Sequence, residues 1–242
     1  MKTYRYSTLL FDADDTLLDF KASERDALAY LFEQLNIPLT NEIRSYYLDI
    51  NHNLWKAFER GEISRTDVLH TRFVTVLDTL QKQGIAPLEL TFGGKPIHSS
   101  ELEPLYQAKL AMGHNLIPGA KELIETLRKT HRVYIVSNGV ATTQQNRLNA
   151  SGLYPLFEDI FISEITGYQK PQVEFFHYCI DRIPDFSPET TLIIGDSLTS
   201  DIKGGNNIGI DTCWYNPRQE EKNVEVTVTY EIHTLEDLYT II

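Results

Sequence analysis

Short apolar runs bounded by polar residues recur along this chain, and stretches with helical spacing separate the later ones. Apart from an initial threonine in the last two, each run is continuously apolar, as in a strand that is buried on both faces. The runs cover residues 9–11, 133–136, 160–162, 191–194 and 212–215. Strands of this kind in alternation with helices are typical of a parallel sheet between two layers of helices. The pattern predicts the α/β class, with a parallel sheet that carries helices on both faces.

A different pattern occupies residues 20–111, where four stretches carry apolar residues at a spacing of three and four. Ser23 and Ser64 are the predicted N-caps of the first and third of these helices, because an acidic residue follows each serine three positions later. We therefore predict two domains. Residues 1–19 and 112–242 form the core, and residues 20–111 form a small all-helical domain.

Two stretches fit neither pattern. The loop before the fourth helix contains Gly93-Gly94-Lys95-Pro96, which lacks the spacing of a phosphate-binding P-loop, and we interpret it as a simple turn. Residues 220–230 mix charges with β-branched residues, and we expect an edge strand there.

Composition and charge narrow the class of protein. A net charge of −12 over 242 residues argues against binding to nucleic-acid polymers or acidic membranes, since both need clustered Lys and Arg. Cys179 and Cys213 have no CxxC spacing, so we expect no disulfide framework or zinc site. No apolar run approaches the roughly 20 residues of a membrane span, and residues 9–11 are too few for a signal-peptide core. We expect a soluble cytoplasmic monomer or dimer.

Polar residues follow four of the predicted strands at the point where each strand ends. In chain order they are Asp12 and Asp14, Ser137 and Asn138, Lys170, and Asp196 and Asp201. Ligands of open parallel sheets bind outside the carboxyl ends of the strands, so we expect these groups in one cleft. In extended backbone Asp12 and Asp14 project to the same side, whereas Asp15 points away.

These side chains together suit phosphoryl transfer to a carboxylate. An aspartate can attack phosphorus, and a hard cation such as Mg²⁺ can neutralise both that carboxylate and the phosphate. Ser137, nearby backbone N–H groups and Lys170 can hold the other phosphoryl oxygens, where charge spreads in the transition state. A second carboxylate can protonate the leaving oxygen and later take a proton from water. The expected partner is a small phosphorylated metabolite.

The four segments resemble, in the same order, the four motifs of the haloacid dehalogenase-like (HAD) superfamily of phosphohydrolases. They are Asp12-x-Asp14-x-Thr16, Ser137-Asn138-Gly139, Lys170 and Gly195-Asp196-x-x-x-x-Asp201. The resemblance implies that Asp12 is the nucleophile, that Asp14 is the general acid and base, and that Lys170 is a catalytic residue that partners the nucleophile and the phosphate. It implies phosphate binding by Ser137, Asn138 and Lys170. It implies Mg²⁺ bound by Asp12, the Asp14 backbone carbonyl and Asp196, with Asp201 in support.

The same resemblance implies a Rossmann-like core with residues 20–111 as a mobile helical cap of the C1 type. Phe11-Asp12-Ala13-Asp14, residues 54–63 and Trp214-Tyr215-Asn216-Pro217 are similar to the YjjG-type pyrimidine 5′-nucleotidase branch. That similarity implies a hydrolase of pyrimidine nucleoside 5′-monophosphates. A sugar-phosphate or other small-metabolite phosphatase or phosphomutase is an alternative, because it uses the same core, and a non-catalytic relative is another. Trp55 and Phe58 lie in the cap, where they either stack on a nucleotide base or belong to the apolar core of the cap.

Overall fold

The structure is a computed structural model that describes residues 5–242, so the first four residues of the predicted core segment 1–19 lie outside the described residues. The chain divides into two compact units. One contains the residues up to Lys21 together with His114–Ile242, and the other contains Ala22–Gly113. Among the described residues, no helix combines the length and apolar character that crossing a membrane requires.

The larger unit is built on a six-stranded sheet in which every neighbouring pair of strands is parallel. Its strands are β1 (Thr8–Phe11), β4 (Arg132–Ser137), β5 (Asp159–Ile162), β6 (Thr191–Gly195), β7 (Asp211–Tyr215) and β8 (Tyr230–Ile232). The spatial order is β5-β4-β1-β6-β7-β8. The fully buried β1 lies at the centre, with Leu9 opposite Val133 on one side and Leu192 on the other.

Helices cover both faces of this sheet. They are α5 (Ala120–Leu127), α6 (Ala141–Ala150), α7 (Ser163–Thr166), α8 (Val173–Ile180) and α9 (Lys203–Asn207), the last preceded by a π-helical turn at Leu198–Ile202. Leu9 packs with Ile124 of α5 in one apolar cluster, whereas its neighbour Leu10 packs with Phe175 of α8 in another. Successive strand residues face opposite sides, so the two clusters are the two faces. The predicted Rossmann-like α/β fold is confirmed.

The predicted edge strand at residues 220–230 is wrong for most of its length. Within the predicted range only Tyr230, the first residue of β8, belongs to a strand, and β8 pairs with β7. Upstream of it, side chains satisfy the backbone in place of a strand. Asn206 donates to the carbonyl of Thr227 and accepts from its N–H, at 2.9 and 2.7 Å, and Thr212 Oγ1 accepts from the Thr229 N–H at 3.2 Å.

The smaller unit contains four helices and one hairpin. The helices are α1 (Phe20–Gln34), whose first residues belong to the larger unit, α2 (Asn41–Glu59), α3 (Arg65–Lys82) and α4 (Leu102–Leu110). Ser64 caps α3 as predicted, because Ser64 and Asp67 bond each other's backbone N–H. Ser23 is not an N-cap, since α1 begins at Phe20; Asp15 accepts a hydrogen bond from the Lys21 N–H at 3.2 Å and so caps the helix earlier.

The prediction of an all-helical unit is corrected between α3 and α4, where strands β2 (Leu90–Phe92) and β3 (Lys95–Ile97) pair antiparallel. The two residues that join them, Gly93 and Gly94, have φ values of 56° and 80°. A two-residue hairpin loop with φ positive at both positions matches the twist of the flanking strands, and glycine adopts it without strain. The predicted turn is therefore the loop of a hairpin.

A buried ion pair joins two helices of the smaller unit. Arg72 of α3 donates to both carboxylate oxygens of Glu103 on α4, at 2.8 and 2.5 Å, and to Asn51 Oδ1 on α2 at 3.0 Å. The Arg72 guanidinium also lies 4.5 Å from the centroid of the Tyr106 ring. Both charged side chains are less than one tenth exposed, so water cannot stabilise their charges and each charge depends on the other.

We expect Arg72→Met to lower the free energy of unfolding by about 3 kcal/mol, because it leaves the Glu103 carboxylate buried without its cation. Urea unfolding followed by circular dichroism measures this loss. Lys82→Met is the matched control, since Lys82 is paired with Asp78 on the same helix but is three quarters exposed. Equal effects of the two substitutions would contradict the argument from burial.

Candidate active site

The carboxyl ends of β1, β4 and β6 bring the predicted polar residues to one edge of the sheet. Asp12 directly follows β1, and its N–H continues the sheet by donating to the Ile194 carbonyl of β6 at 2.9 Å. Ser137 is the last residue of β4, and Asp196 directly follows β6. The segment after β5 and α7 carries Lys170 into the same place. The predicted convergence of the strand ends is present in the structure.

Lys170 is the centre of this arrangement. Its Nζ donates to Asp12 Oδ1 at 2.7 Å, to Asp201 Oδ1 at 2.6 Å and to the Val136 carbonyl at 2.7 Å. An ammonium has three hydrogens, so all of them are bonded. The side chain is 1% exposed, and a buried cation needs this complete set of acceptors. Thr16 donates to the other oxygen of Asp12, at 3.2 Å.

Burial and mutual repulsion set the protonation of the acids. Burial, together with the negative charges of Asp201 and Asp14, raises the pKa of Asp12 to about 7 against the attraction of Lys170. The pKa of Asp196 is raised well above its usual value by burial and by the charges of Asp12 and Asp201. Burial alone would lower the pKa of Lys170, but the two aspartates at its Nζ raise it, so Lys170 is an ammonium.

Asp12, Asp196 and Asp201 each place a carboxylate oxygen within 4.8 Å of the others. Asp12 and Asp201 are buried and Asp196 is partly buried. Three carboxylates this close together fit a hard divalent cation such as Mg²⁺, which takes oxygen ligands and relieves their repulsion. Asp201 already accepts from Lys170 and, at 3.1 Å, from the Ser197 N–H. Asp12 likewise accepts one hydrogen bond on each of its oxygens, so these bonds do not distinguish Asp12 from Asp201 as a candidate ligand.

Gly195 is required for this close approach. A Cβ atom at position 195 would lie 2.3 Å from the Asp201 carboxylate, a distance that real atoms do not reach. The glycine at the end of β6 thus lets Asp201 fold back over the strand. The indole N–H of Trp214 on β7 fixes the next residue by donating to the Asp196 carbonyl at 2.9 Å.

The Asp14 carboxylate has different partners, on helix α6. Arg147 donates to Asp14 Oδ1, and Gln144 Nε2 donates to Asp14 Oδ2 at 2.9 Å. Gln144 Nε2 also donates, at 2.8 Å, to the hydroxyl of Ser137, which accepts from the Gly139 N–H as well. The predicted acid and the predicted phosphate-binding hydroxyl are therefore held by one helix.

Asn138, expected as a phosphate ligand, uses its side chain otherwise. Its Oδ1 accepts from the Lys170 N–H at 2.8 Å, and its Nδ2 donates to the Lys170 carbonyl at 2.9 Å. The side-chain amide thus anchors the backbone of the lysine. In the smaller unit, Phe58 is buried and Trp55 packs edge-on against its ring at 5.5 Å, so Phe58 is a core residue there.

Sequence reasoning missed Gln144 and Arg147, and it missed the contact of Trp214. One signal in the sequence could have identified the helix residues. Gln144 and Arg147 are spaced so that they share a helix face with the apolar Leu148, and this helix follows the polar end of a strand. The structure buries all three residues. Asp15 lies as expected, turned to an ion pair with Lys21 at 3.1 Å.

Comparison with known proteins agrees with this geometry. A family model described as haloacid dehalogenase-like hydrolase matches residues 6–209. HAD-hydrolase YfnB of Bacillus subtilis is 50% identical over 98% of this chain and 96% of its own. A crystal structure of YfnB bound to magnesium has a TM-score of 0.87 to this one, covering 98% of this chain and 99% of that one.

Two further relatives carry a more specific name. Pyrimidine 5′-nucleotidase PynA of Streptococcus pneumoniae is 38% identical, over 96% of this chain and 93% of the relative. Pyrimidine 5′-nucleotidase YjjG of Escherichia coli is 27% identical, over 97% of this chain and 96% of the relative. All of these matches span both units of the chain.

We expect Asp196→Asn to stabilise the metal-free protein at pH 8 and to have less effect near pH 5. A carboxyl whose folded pKa is raised binds its proton more tightly in the folded state, so its stability contribution is lost as pH rises above the ordinary value near 4. Asparagine carries no charge and avoids that loss. Thermal unfolding in EDTA across this pH range measures the difference.

The exposed Asp26 offers the control, because Asp26→Asn removes a carboxylate that is more than half exposed. Because that carboxylate is exposed to water, its removal should not stabilise the protein at pH 8. A destabilising effect of Asp196→Asn at pH 8 in EDTA would contradict the repulsion described above.

Proposed function

Because the chain belongs to the haloacid dehalogenase-like hydrolases, a family that includes phosphatases, we propose that it is a Mg²⁺-dependent phosphomonoesterase. We propose further that its substrates are pyrimidine nucleoside 5′-monophosphates. The observation that carries the proposal is the buried carboxylate of Asp12, bonded to the Lys170 ammonium beside Asp196 and Asp201.

In the proposed reaction the Asp12 carboxylate attacks the phosphorus of the monoester and forms an aspartyl-phosphate. Hydrogen bonds from Lys170 and Thr16 orient that carboxylate, one to each oxygen. Lys170 also offsets the negative charge that gathers when a phosphate approaches three aspartates. Mg²⁺, bound by Asp12, Asp196 and the backbone carbonyl of Asp14, would supply Lewis-acid neutralisation of the phosphoryl oxygens.

Asp14 is the proposed general acid and base. As the bond from phosphorus to the leaving oxygen breaks, Asp14 donates its proton to that oxygen and the alcohol departs. Water then attacks the aspartyl-phosphate, Asp14 takes a proton from the water, and inorganic phosphate and free Asp12 result. The Ser137 hydroxyl and Lys170 are the proposed phosphate-binding groups, and Asn138 contributes by holding the Lys170 backbone.

The proposed substrate class rests on the two relatives named pyrimidine 5′-nucleotidase, at 38% and 27% identity. We propose that the smaller unit, residues 20–111 in the predicted division, is a cap that selects the leaving group. Phosphatases of sugar phosphates can share the same core chemistry, because none of the proposed steps depends on the alcohol beyond its need for a proton.

We expect Asp12→Asn to abolish turnover, because the carboxamide is not a nucleophile. Asp15→Asn is the matched control, since Asp15 lies close to Asp12 in sequence but is paired with Lys21. The backbone of residue 15 has a φ of 57°, which asparagine adopts readily. Release of inorganic phosphate from uridine 5′-monophosphate with added Mg²⁺ measures both variants. Full activity of the purified Asp12→Asn protein, or loss in Asp15→Asn alone, would contradict the assignment.

We expect the wild-type protein to hydrolyse pyrimidine nucleoside 5′-monophosphates with a higher kcat/KM than purine nucleotides or sugar phosphates. A panel of these three classes at fixed Mg²⁺ measures the preference, and addition of EDTA should abolish all activity. Preference for a sugar phosphate would replace the nucleotidase assignment while leaving the phosphatase chemistry intact. Activity that survives EDTA would overturn the role of the metal.

A further inference from the structure

Helix α6 carries two buried polar residues whose hydrogen bonds converge on Asp14. Arg147 is fully buried and donates to Asp14 Oδ1, while Gln144 is 1% exposed and donates to Asp14 Oδ2 at 2.9 Å. The two residues lie three positions apart and so share one face of the helix. Each oxygen of the carboxylate is therefore bonded from the same rigid element.

The surrounding residues hold these two side chains in place. Arg147 also donates to Gln144 Oε1 at 3.1 Å, and its guanidinium lies 5.4 Å from the centroid of the Phe20 ring. Gln144 passes over Gly139 so closely that a Cβ atom at position 139 would lie 2.6 Å from it. The two side chains are therefore closely packed, and residue 139 must be a glycine to leave room for Gln144.

Gln144 connects Asp14 to the proposed phosphate-binding hydroxyl. Its Nε2 has two hydrogens, and it donates to both Asp14 Oδ2 and Ser137 Oγ, at 2.9 and 2.8 Å. The distance between the acid and the hydroxyl is consequently set by a single amide group. A rotation of the Asp14 carboxylate would break a bond to Gln144 or to Arg147.

We propose that Gln144 and Arg147 are positioning residues that hold the Asp14 carboxylate in register with the phosphate site for proton transfer to the leaving oxygen. This inference rests on the proposed function, since it assigns a purpose to the geometry of its acid. Neither residue touches the phosphate in the proposed reaction. They act through Asp14, and in the case of Gln144 also through Ser137.

A positioning role predicts a loss that depends on the leaving group. A leaving alkoxide needs a proton, and a general acid contributes roughly 10²-fold or more to its departure. The p-nitrophenolate ion is stable and leaves with little help. We therefore expect Gln144→Met and Arg147→Met to lower kcat/KM for uridine 5′-monophosphate by about 10²-fold, and for p-nitrophenyl phosphate by less than about 10-fold.

Arg147→Lys and Gln145→Met complete the set. Lysine keeps the charge but lacks the planar, fixed donor geometry of the guanidinium, so it should recover part of the selective loss. Gln145 lies next to Gln144 on α6 and is only partly buried, so its substitution should leave both rates near those of the wild type. Circular dichroism melting selects the folded variants, and Gln144→Met, which removes no charge, covers the case in which Arg147→Met does not fold.

Equal losses on the two esters, or no loss, in the folded variants would overturn the positioning role. A wild-type protein that is active on both esters makes that result specific to this inference. If the wild type hydrolyses neither ester with Mg²⁺, the proposed function fails and this inference fails with it. The two failures are therefore distinguished by the wild-type rates alone.

Discussion

The buried ammonium of Lys170 is the interaction on which the rest of the site depends. It is bonded to Asp12, to Asp201 and to a carbonyl of β4, and so it joins the ends of β1 and β4 to the π-helical turn that follows β6. Without this cation, the aspartates at the sheet edge would repel each other in a place that water hardly reaches. Two local features serve it: Asn138 fixes the lysine backbone, and Gly195 lets Asp201 approach.

The fold could be predicted from the sequence because its physical causes are local. Five short apolar runs separated by helical patterns leave few arrangements other than a parallel sheet between helices, and the structure contains that sheet. Parallel strands end at a common edge, so the polar residues after each run were expected together. The structure places Asp12, Lys170 and Asp201 within hydrogen-bond distance in that place.

The partners of the site residues could not be predicted in the same way. Which atom of Asn138 meets Lys170, or which helix residue reaches Asp14, depends on the packing of elements that are distant in sequence. Gln144 and Arg147 were missed because helical spacing shows which face they occupy and not what that face covers. The Gly93-Gly94 hairpin was missed for a related reason, since strands of three residues have too short a pattern to identify.

The two residues that follow the hydrophobic part of β4 explain how the polar groups are divided. Ser137 is bonded to the Gln144 amide of α6, and Asn138 is bonded to the backbone of Lys170. Asn138 therefore belongs to the hydrogen-bond network around Lys170 and Asp12, whereas Ser137 belongs to the network around Asp14. The two networks meet at the peptide bond between Ser137 and Asn138. Because the two carboxylates are fixed by different partners, the charge of one can be neutralised by Lys170 while the other keeps separate hydrogen bonds. The charge of Asp14 is offset by a cation of its own, Arg147, so the position of each carboxylate is set independently of the other.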